Sequence, residues 1–138
     1  MNLGIKGRVA LVAASSKGLG RASAEALAAE GARVVICARG EEELLAARDE
    51  IRERTGAEVE AKRTDVTEPS DIEPLVDFTV RRFGGLDILV TNAGGPPPGK
   101  FEEFSDDDWL GAWKLNGMSA VRLIGASLPY MRKTGWGR

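Results

Sequence analysis

The chain has 138 residues, of which 43% are hydrophobic and 29% charged, and its formal net charge is -2. This composition is typical of one soluble globular domain, and so small a negative charge offers no basic field to nucleic acid or an anionic membrane. The sequence has no histidine and a single cysteine, Cys37, which excludes a disulfide framework, a Cys/His metal cluster and a Ser-His-Asp triad. The longest uncharged stretch, residues 88–99, is too short to span a bilayer, and no signal peptide is recognisable. We therefore expect a cytoplasmic protein with no metal, no nucleic-acid partner and no membrane segment.

Strand-like and helix-like segments alternate along the chain, which predicts a parallel sheet with crossover helices. The predicted strands cover residues 8–13, 33–37, 58–63 and 86–91. The predicted helices cover residues 18–30 and 41–54, and two more begin at Thr67 and Ser105. The third strand is the most polar of the four and is expected at an edge of the sheet. The predicted fold class is α/β, a doubly wound parallel sheet of the Rossmann type in one domain over residues 1–138.

Local signals refine the predicted helices. The helix beginning at Thr67 carries apolar side chains at helical spacing, and these should face the core: Ile72, Leu75, Val76, Thr79, Val80 and Phe83. Three consecutive prolines make residues 92–99 a loop. Ser105 and Asp108 have the spacing of a capping box, and Pro129 should kink or end the last helix.

The turn between the first strand and the first helix has the sequence Ala-Ala-Ser-Ser-Lys-Gly-Leu-Gly over residues 13–20. Backbone N–H groups and the helix dipole converge on an anion at such a turn, so a pyrophosphate could bind here, with Ser15 and Ser16 adding hydroxyl donors. A glycine-rich turn can also be a tight turn and nothing more.

Together with three later motifs, this turn resembles the short-chain dehydrogenase/reductase family. The family pattern T-G-x-x-x-G-x-G aligns with residues 13–20, Asp65-Val66 aligns with the pair beside the adenine ring, and Asn92-Ala93-Gly94 aligns with the N-A-G motif. Asn116 aligns with the family's helix asparagine, which supports a proton relay to a catalytic lysine; a surface or helix-packing role is the alternative. A comparable alternative for Asp65 is a helix-capping carboxylate near Thr67, and the two roles could coexist. The resemblance implies a cofactor site at Ala14, Ser15, Ser16, Lys17, Gly18, Leu19, Gly20, Arg39, Asp65, Val66, Asn92, Ala93 and Gly94.

One position departs from the family pattern, because Ala14 stands where the first glycine is expected. If the turn needs a positive φ there, alanine strains it by roughly 1 kcal/mol. If it does not, the methyl group only narrows the approach to the phosphate.

The charge at the end of the second strand favours NADP over NAD. An NAD site usually has a carboxylate about 20 residues after the glycines to accept hydrogen bonds from the ribose. Arg39 stands there instead, and its guanidinium can grip a 2'-phosphate with help from Lys17. The alternative is that Arg39 pairs with residues 41–43 and Lys17 is merely solvated.

The family's catalytic Ser, Tyr and Lys have no counterpart here. The only tyrosine, Tyr130, is followed by Thr134 and not by lysine at the Y-x-x-x-K spacing, and by the family pattern Gly137-Arg138 opens a fifth strand. The resemblance thus implies the first half of an NADPH-dependent reductase, truncated after the fourth strand and inactive alone, whose parent reduces a small carbonyl substrate such as a 3-oxoacyl group and forms dimers or tetramers. The alternatives are a dinucleotide-binding module without catalysis and a domain that has lost nucleotide affinity.

Overall fold

Four parallel strands form one sheet in the computed structural model, which describes residues 2–138. The strands are β1 Val9–Val12, β2 Arg33–Ala38, β3 Val59–Arg63 and β4 Ile88–Val90, and their order across the sheet is β3-β2-β1-β4. The parallel α/β fold is confirmed, and so is the edge position of the polar strand β3. Each observed strand lies within its predicted range or extends it by one residue.

Within residues 2–138, five α-helices connect or follow the strands: α1 Gly18–Ala29, α2 Glu41–Thr55, α3 Pro69–Phe83, α4 Asp106–Trp113 and α5 Ser119–Thr134. A 3-10 turn, Phe101–Glu103, precedes α4, and one π-helical turn, Lys114–Met118, joins α4 to α5. The predicted capping box is present, with the Ser105 hydroxyl accepting from the N–H of Asp108.

Two predictions about helix ends were wrong. The third helix begins at Pro69 and not at Thr67, because residues 65–67 form a turn in which Asp65 accepts hydrogen bonds from Thr67. Of the two effects expected of Pro129, the end of the helix is contradicted, because α5 continues to Thr134. Because proline has no N–H, the carbonyl of Gly125 lacks its helical hydrogen bond. Both residues are exposed, so water can donate to that carbonyl instead.

The sheet is buried on both faces, as expected for parallel strands between helices. On one face Val12 and Ile36 pack with the buried side chains of α1 and α2; on the other, Leu11 and Val35 pack with those of α3 and α5. Val80 of α3 is only partly buried, in contrast to its predicted core position. Burial also raises the pKa of the Cys37 thiol in β2 to about 11, so this cysteine is a neutral, inert part of the core.

Arg138 lies alongside β4. Its N–H donates to the carbonyl of Asp87 at 3.0 Å, and its carbonyl accepts from the N–H of Leu89 at 2.9 Å. This is the hydrogen-bond pattern that a parallel neighbouring strand makes. A mostly apolar groove, here called the β4 groove, runs along the same edge and is lined by residues that include Leu89, Thr91, Ile124, Ser127, Met131 and Trp136.

None of the helices in residues 2–138 is both long enough and apolar enough to span a membrane.

Candidate functional site

A cleft of about 880 Å³ opens where the strands of the sheet end. It lies beside β1, where the strand order reverses: β2 and β3 follow on one side of β1, and the chain then crosses through α3 to place β4 on the other side. Open parallel sheets bind ligands at such a reversal. Most of the predicted cofactor residues line it: Ala14, Ser16, Lys17, Gly18, Leu19, Arg39, Asp65, Val66, Asn92, Ala93 and Gly94. Ser15 and Gly20 are buried and do not line it.

The N-terminus of α1 forms one wall of the cleft. Lys17 precedes the helix, and no side chain caps the N–H groups of the first turn. Gly18 begins α1 with a φ of +59°, and a Cβ at this position would meet no atom within 4 Å. The wall therefore offers uncapped N–H donors and the positive end of the helix dipole to an anion.

Ser15 makes its hydrogen bonds within the sheet. Its hydroxyl donates to the carbonyl of Val12 at 2.6 Å and accepts from the N–H of Cys37 at 3.1 Å, while its own N–H donates to the carbonyl of Cys37 at 2.8 Å. These bonds join the ends of β1 and β2 beneath the cleft. The only hydroxyl proton of Ser15 is thus used inside the sheet, whereas Ser16 lines the cleft.

Replacing Ser15 with alanine should destabilise the fold by about 1–3 kcal/mol, since the N–H of Cys37 would lose its buried acceptor. The free energy of unfolding in urea measures the change. Ser23→Ala is the matched control, because that hydroxyl is exposed on α1 and bonds only the carbonyl of Leu19. Equal effects of the two substitutions would contradict the bridging role.

Asn92 joins the loop after β4 to the loop after β1. Its side-chain Nδ2 donates to the carbonyl of Ala14 at 3.0 Å. Ala14 has a φ of +46°, so the strained alternative foreseen for this alanine is the one the structure adopts. Gly20 lies against the same bond: a Cβ there would stand 2.3 Å from the Ala14 oxygen and 2.8 Å from Nδ2 of Asn92.

Two cations line the cleft near the end of β2. The side chains of Arg39 and Lys17 are exposed, and neither lies within 4.0 Å of a carboxylate anywhere in residues 2–138. The alternative pairing of Arg39 with residues 41–43 is therefore not formed, although Glu43 lines the same cleft. The carbonyl of Arg39 accepts from Nε of Arg63 at 3.0 Å, which fixes the backbone that carries the guanidinium.

Asp65 holds the turn that follows β3. Its Oδ1 accepts from the hydroxyl and the N–H of Thr67, at 2.7 and 3.0 Å. The Thr67 hydroxyl chiefly, and then its N–H and the charges of Arg39 and Arg63, hold the pKa of Asp65 below its usual range. The stabilisation that the ionised Asp65 gives to the fold is therefore fully present at neutral pH, and it is lost as the pH falls through the lowered pKa. The helix-capping role considered for Asp65 was wrong, because α3 begins at Pro69 with Glu68 as its N-cap and Asp65 closes the turn before it; the carboxylate also lines the cleft.

Asn116 is not brought into the cleft. It is exposed on the π-helical turn, and its Nδ2 donates to the carbonyl of Ala112 at 3.2 Å. The neighbouring Leu115 lines the cleft instead, as do Thr64 and Glu43, none of which was expected from the sequence. Thr64 could have been inferred from its place directly before Asp65, but nothing marks Leu115 in the sequence.

A parallel sheet with an uncapped helix N-terminus at its switch point is the arrangement in which Rossmann-type folds bind dinucleotides. The family model described as short chain dehydrogenase matches residues 8–138, and the chain belongs to this family.

Solved and curated relatives agree with this assignment. The structure of L-sorbose reductase from Gluconobacter frateurii, complexed with NADPH and L-sorbose, matches with a TM-score of 0.92 and 39% identity over 99% of this chain and 52% of its own. The 3-oxoacyl-[acyl-carrier-protein] reductase of Escherichia coli is 35% identical over 99% of this chain and 54% of its own length. The D-beta-hydroxybutyrate dehydrogenase of Rhizobium meliloti is 35% identical over 95% of this chain and 51% of its own length. The chain thus spans about half the length of these relatives.

Proposed function

We propose that this chain is the cofactor-binding part of an NADP-dependent oxidoreductase that passes a hydride between NADPH and a carbonyl carbon. The observation that carries the proposal is the pair of cations, Lys17 and Arg39, which line the cleft without a carboxylate partner among the described residues. A cofactor with an additional 2'-phosphate would give both cations a partner. The solved L-sorbose reductase, which has the same fold, was complexed with NADPH, and this supports the choice.

The residues of the cleft fit such a cofactor. The uncapped first turn of α1 would accept the pyrophosphate, with Ser16 adding a hydroxyl. Asp65 and Val66 would border the adenine, and the backbone of residues 92–94 would border the remaining half of the dinucleotide. NADPH supplies the hydride; the chain's own contribution is to bind and orient the molecule that carries it.

For the whole protein we propose a small carbonyl substrate, a 3-oxoacyl compound or a similar ketone, in the cytoplasm. The relatives are named for L-sorbose, 3-oxoacyl and hydroxybutyrate chemistry, so similar first halves accompany different substrates. The substrate must then be selected mainly outside the cofactor cleft.

We propose that the parent protein associates into dimers or tetramers and that Asn116 acts in its proton relay. Large apolar side chains exposed on α4 and α5 support association: Trp109, Leu110, Trp113, Val121 and Ile124. Support for Asn116 is the π-helical turn around it, since such turns are frequent at functional sites.

NADPH fluorescence titration of the chain tests the proposed cofactor. Saturable binding with a preference over NADH is expected, and the absence of a saturable signal would refute the proposal. Because the chain lacks a Tyr-x-x-x-Lys pair, we expect no turnover of 3-oxoacyl substrates by the 138 residues alone.

The second candidate is a non-catalytic dinucleotide-binding module, which acts by binding or in complex with another chain. A turnover assay of a longer protein containing this chain distinguishes the two, since NADPH oxidation by that protein would exclude the module.

A further inference from the structure

We propose that Asn92 is a positioning residue that locks Ala14 in its strained left-handed conformation by holding the carbonyl of this residue. The consequence for cofactor binding rests on the proposed function. Asn92 would then act on the cofactor's phosphates through Ala14, in addition to any contact of its own.

Ala14 is the one non-glycine residue of positive φ in residues 2–138. The left-handed region brings the Cβ of an L-residue close to its own backbone, so alanine leaves it unless other contacts prevent this. Something in the surrounding structure must therefore hold Ala14 in place.

The peptide unit between Ala14 and Ser15 is held at both ends. Its oxygen accepts from Nδ2 of Asn92 at 3.0 Å, and its N–H donates to the carbonyl of Cys37 at 2.8 Å. Relaxation of Ala14 to a negative φ would turn this peptide and break both bonds. Asn92 follows β4, and Cys37 lies one residue before the end of β2. The conformation of the loop therefore depends on both neighbours of β1.

Gly20 shows how closely the surroundings fit this arrangement. The distances from a hypothetical Cβ to the Ala14 oxygen and to Nδ2 of Asn92, 2.3 and 2.8 Å, mean that only glycine leaves room for the bond. α1 therefore packs directly on the hydrogen bond between Asn92 and Ala14. The first turn of the helix and the loop before it are consequently aligned by the same contact.

A double-mutant cycle of Asn92→Ala and Ala14→Gly tests the proposal, with NADPH affinity and thermal unfolding of the free chain as readouts. Glycine adopts a positive φ without strain, so Ala14→Gly should tighten NADPH binding up to about fivefold. Asn92→Ala should weaken binding by roughly tenfold in the original chain but by only about twofold in the Ala14→Gly background.

Asn92→Asp provides a same-shape version of the test, because a carboxylate oxygen cannot donate to the Ala14 carbonyl. We expect Asn92→Asp, like Asn92→Ala, to weaken NADPH binding more when residue 14 is alanine than when it is glycine. Thr91→Ala is the control, since Thr91 lines the β4 groove and not the cleft; its effect should not depend on position 14.

Equal effects of Asn92→Ala in both backgrounds would overturn the proposal, since a residue that only contacts the cofactor is indifferent to strain at Ala14. If Asn92→Ala does not fold, recovery of folding by Ala14→Gly supports the lock and failure to recover refutes it. If the chain binds no NADPH at all, the proposed function fails, and the same cycle in unfolding temperature still decides the lock by whether the two substitutions are additive.

Discussion

Gly20→Ala is expected to destabilise the fold by about 3 kcal/mol and to weaken NADPH binding by more than tenfold. The added Cβ would stand 2.3 Å from the oxygen and 3.0 Å from the carbonyl carbon of Ala14. These are backbone atoms of a loop held on both sides, so the strain cannot be relieved by rotating a flexible side chain. α1 would have to move away from β1, and the uncapped N–H groups of its first turn would move with it. Urea unfolding and NADPH titration of the variant measure the two effects.

Gly111→Ala is the matched control for this substitution. Gly111 lies in α4, is exposed, and would place its Cβ in open space. Alanine is the better helix former by roughly 0.5–1 kcal/mol, so this variant should be slightly more stable than the original chain. A Gly20→Ala variant as stable as the Gly111→Ala variant would contradict the close packing of α1 on the loop.

Arg39→Glu is expected to weaken NADPH binding by roughly 100-fold and NADH binding by little. The substitution removes a charge-assisted contact to the 2'-phosphate and places a carboxylate near it, with each of these effects amounting to about 1–2 kcal/mol. NADH has no such phosphate, and its ribose hydroxyls can donate to the new carboxylate. Parallel titrations with the two cofactors give the change in preference.

Arg81→Glu separates the local contact from the general change of charge. Arg81 is exposed on α3, outside the cleft, and the substitution alters the net charge by the same amount. Its effect on NADPH should be small and should disappear at high salt. A uniform loss of NADPH and NADH affinity in Arg39→Glu would refute the role of Arg39 at the 2'-phosphate.

The sequence predicted those parts of the fold that depend on local patterns. The alternation of strands and helices, the polar edge strand β3 and the Ser105 capping box are each encoded within a few residues, and all are confirmed. The start of α3 was misjudged because Asp65 and Thr67 form a turn of their own, which competes with helix formation. Pro129 was misjudged because the cost of an interior proline depends on whether the freed carbonyl reaches water, which is a property of the folded surface.

The sequence located the residues that line the cleft better than it located the hydrogen bonds among them. Motif order located the loops that line the cleft, because parallel strands end at one edge of a sheet. The direction of the Ser15 hydroxyl and the position of Asn116 outside the cleft depend on how distant segments pack. The bond from Asn92 to Ala14 joins residues 78 positions apart, so no local pattern could reveal it.

That separation has a consequence for how the chain folds. β1 pairs with β2 across a short connection, whereas its pairing with β4, as between Ala10 and Ile88, closes a loop that contains α1, β2, α2, β3 and α3. Closing so long a loop is slow and entropically costly, so we expect β4 to join the sheet late. The cleft is lined from both sides only after this step, and a bound dinucleotide would therefore report that β4 has joined the sheet.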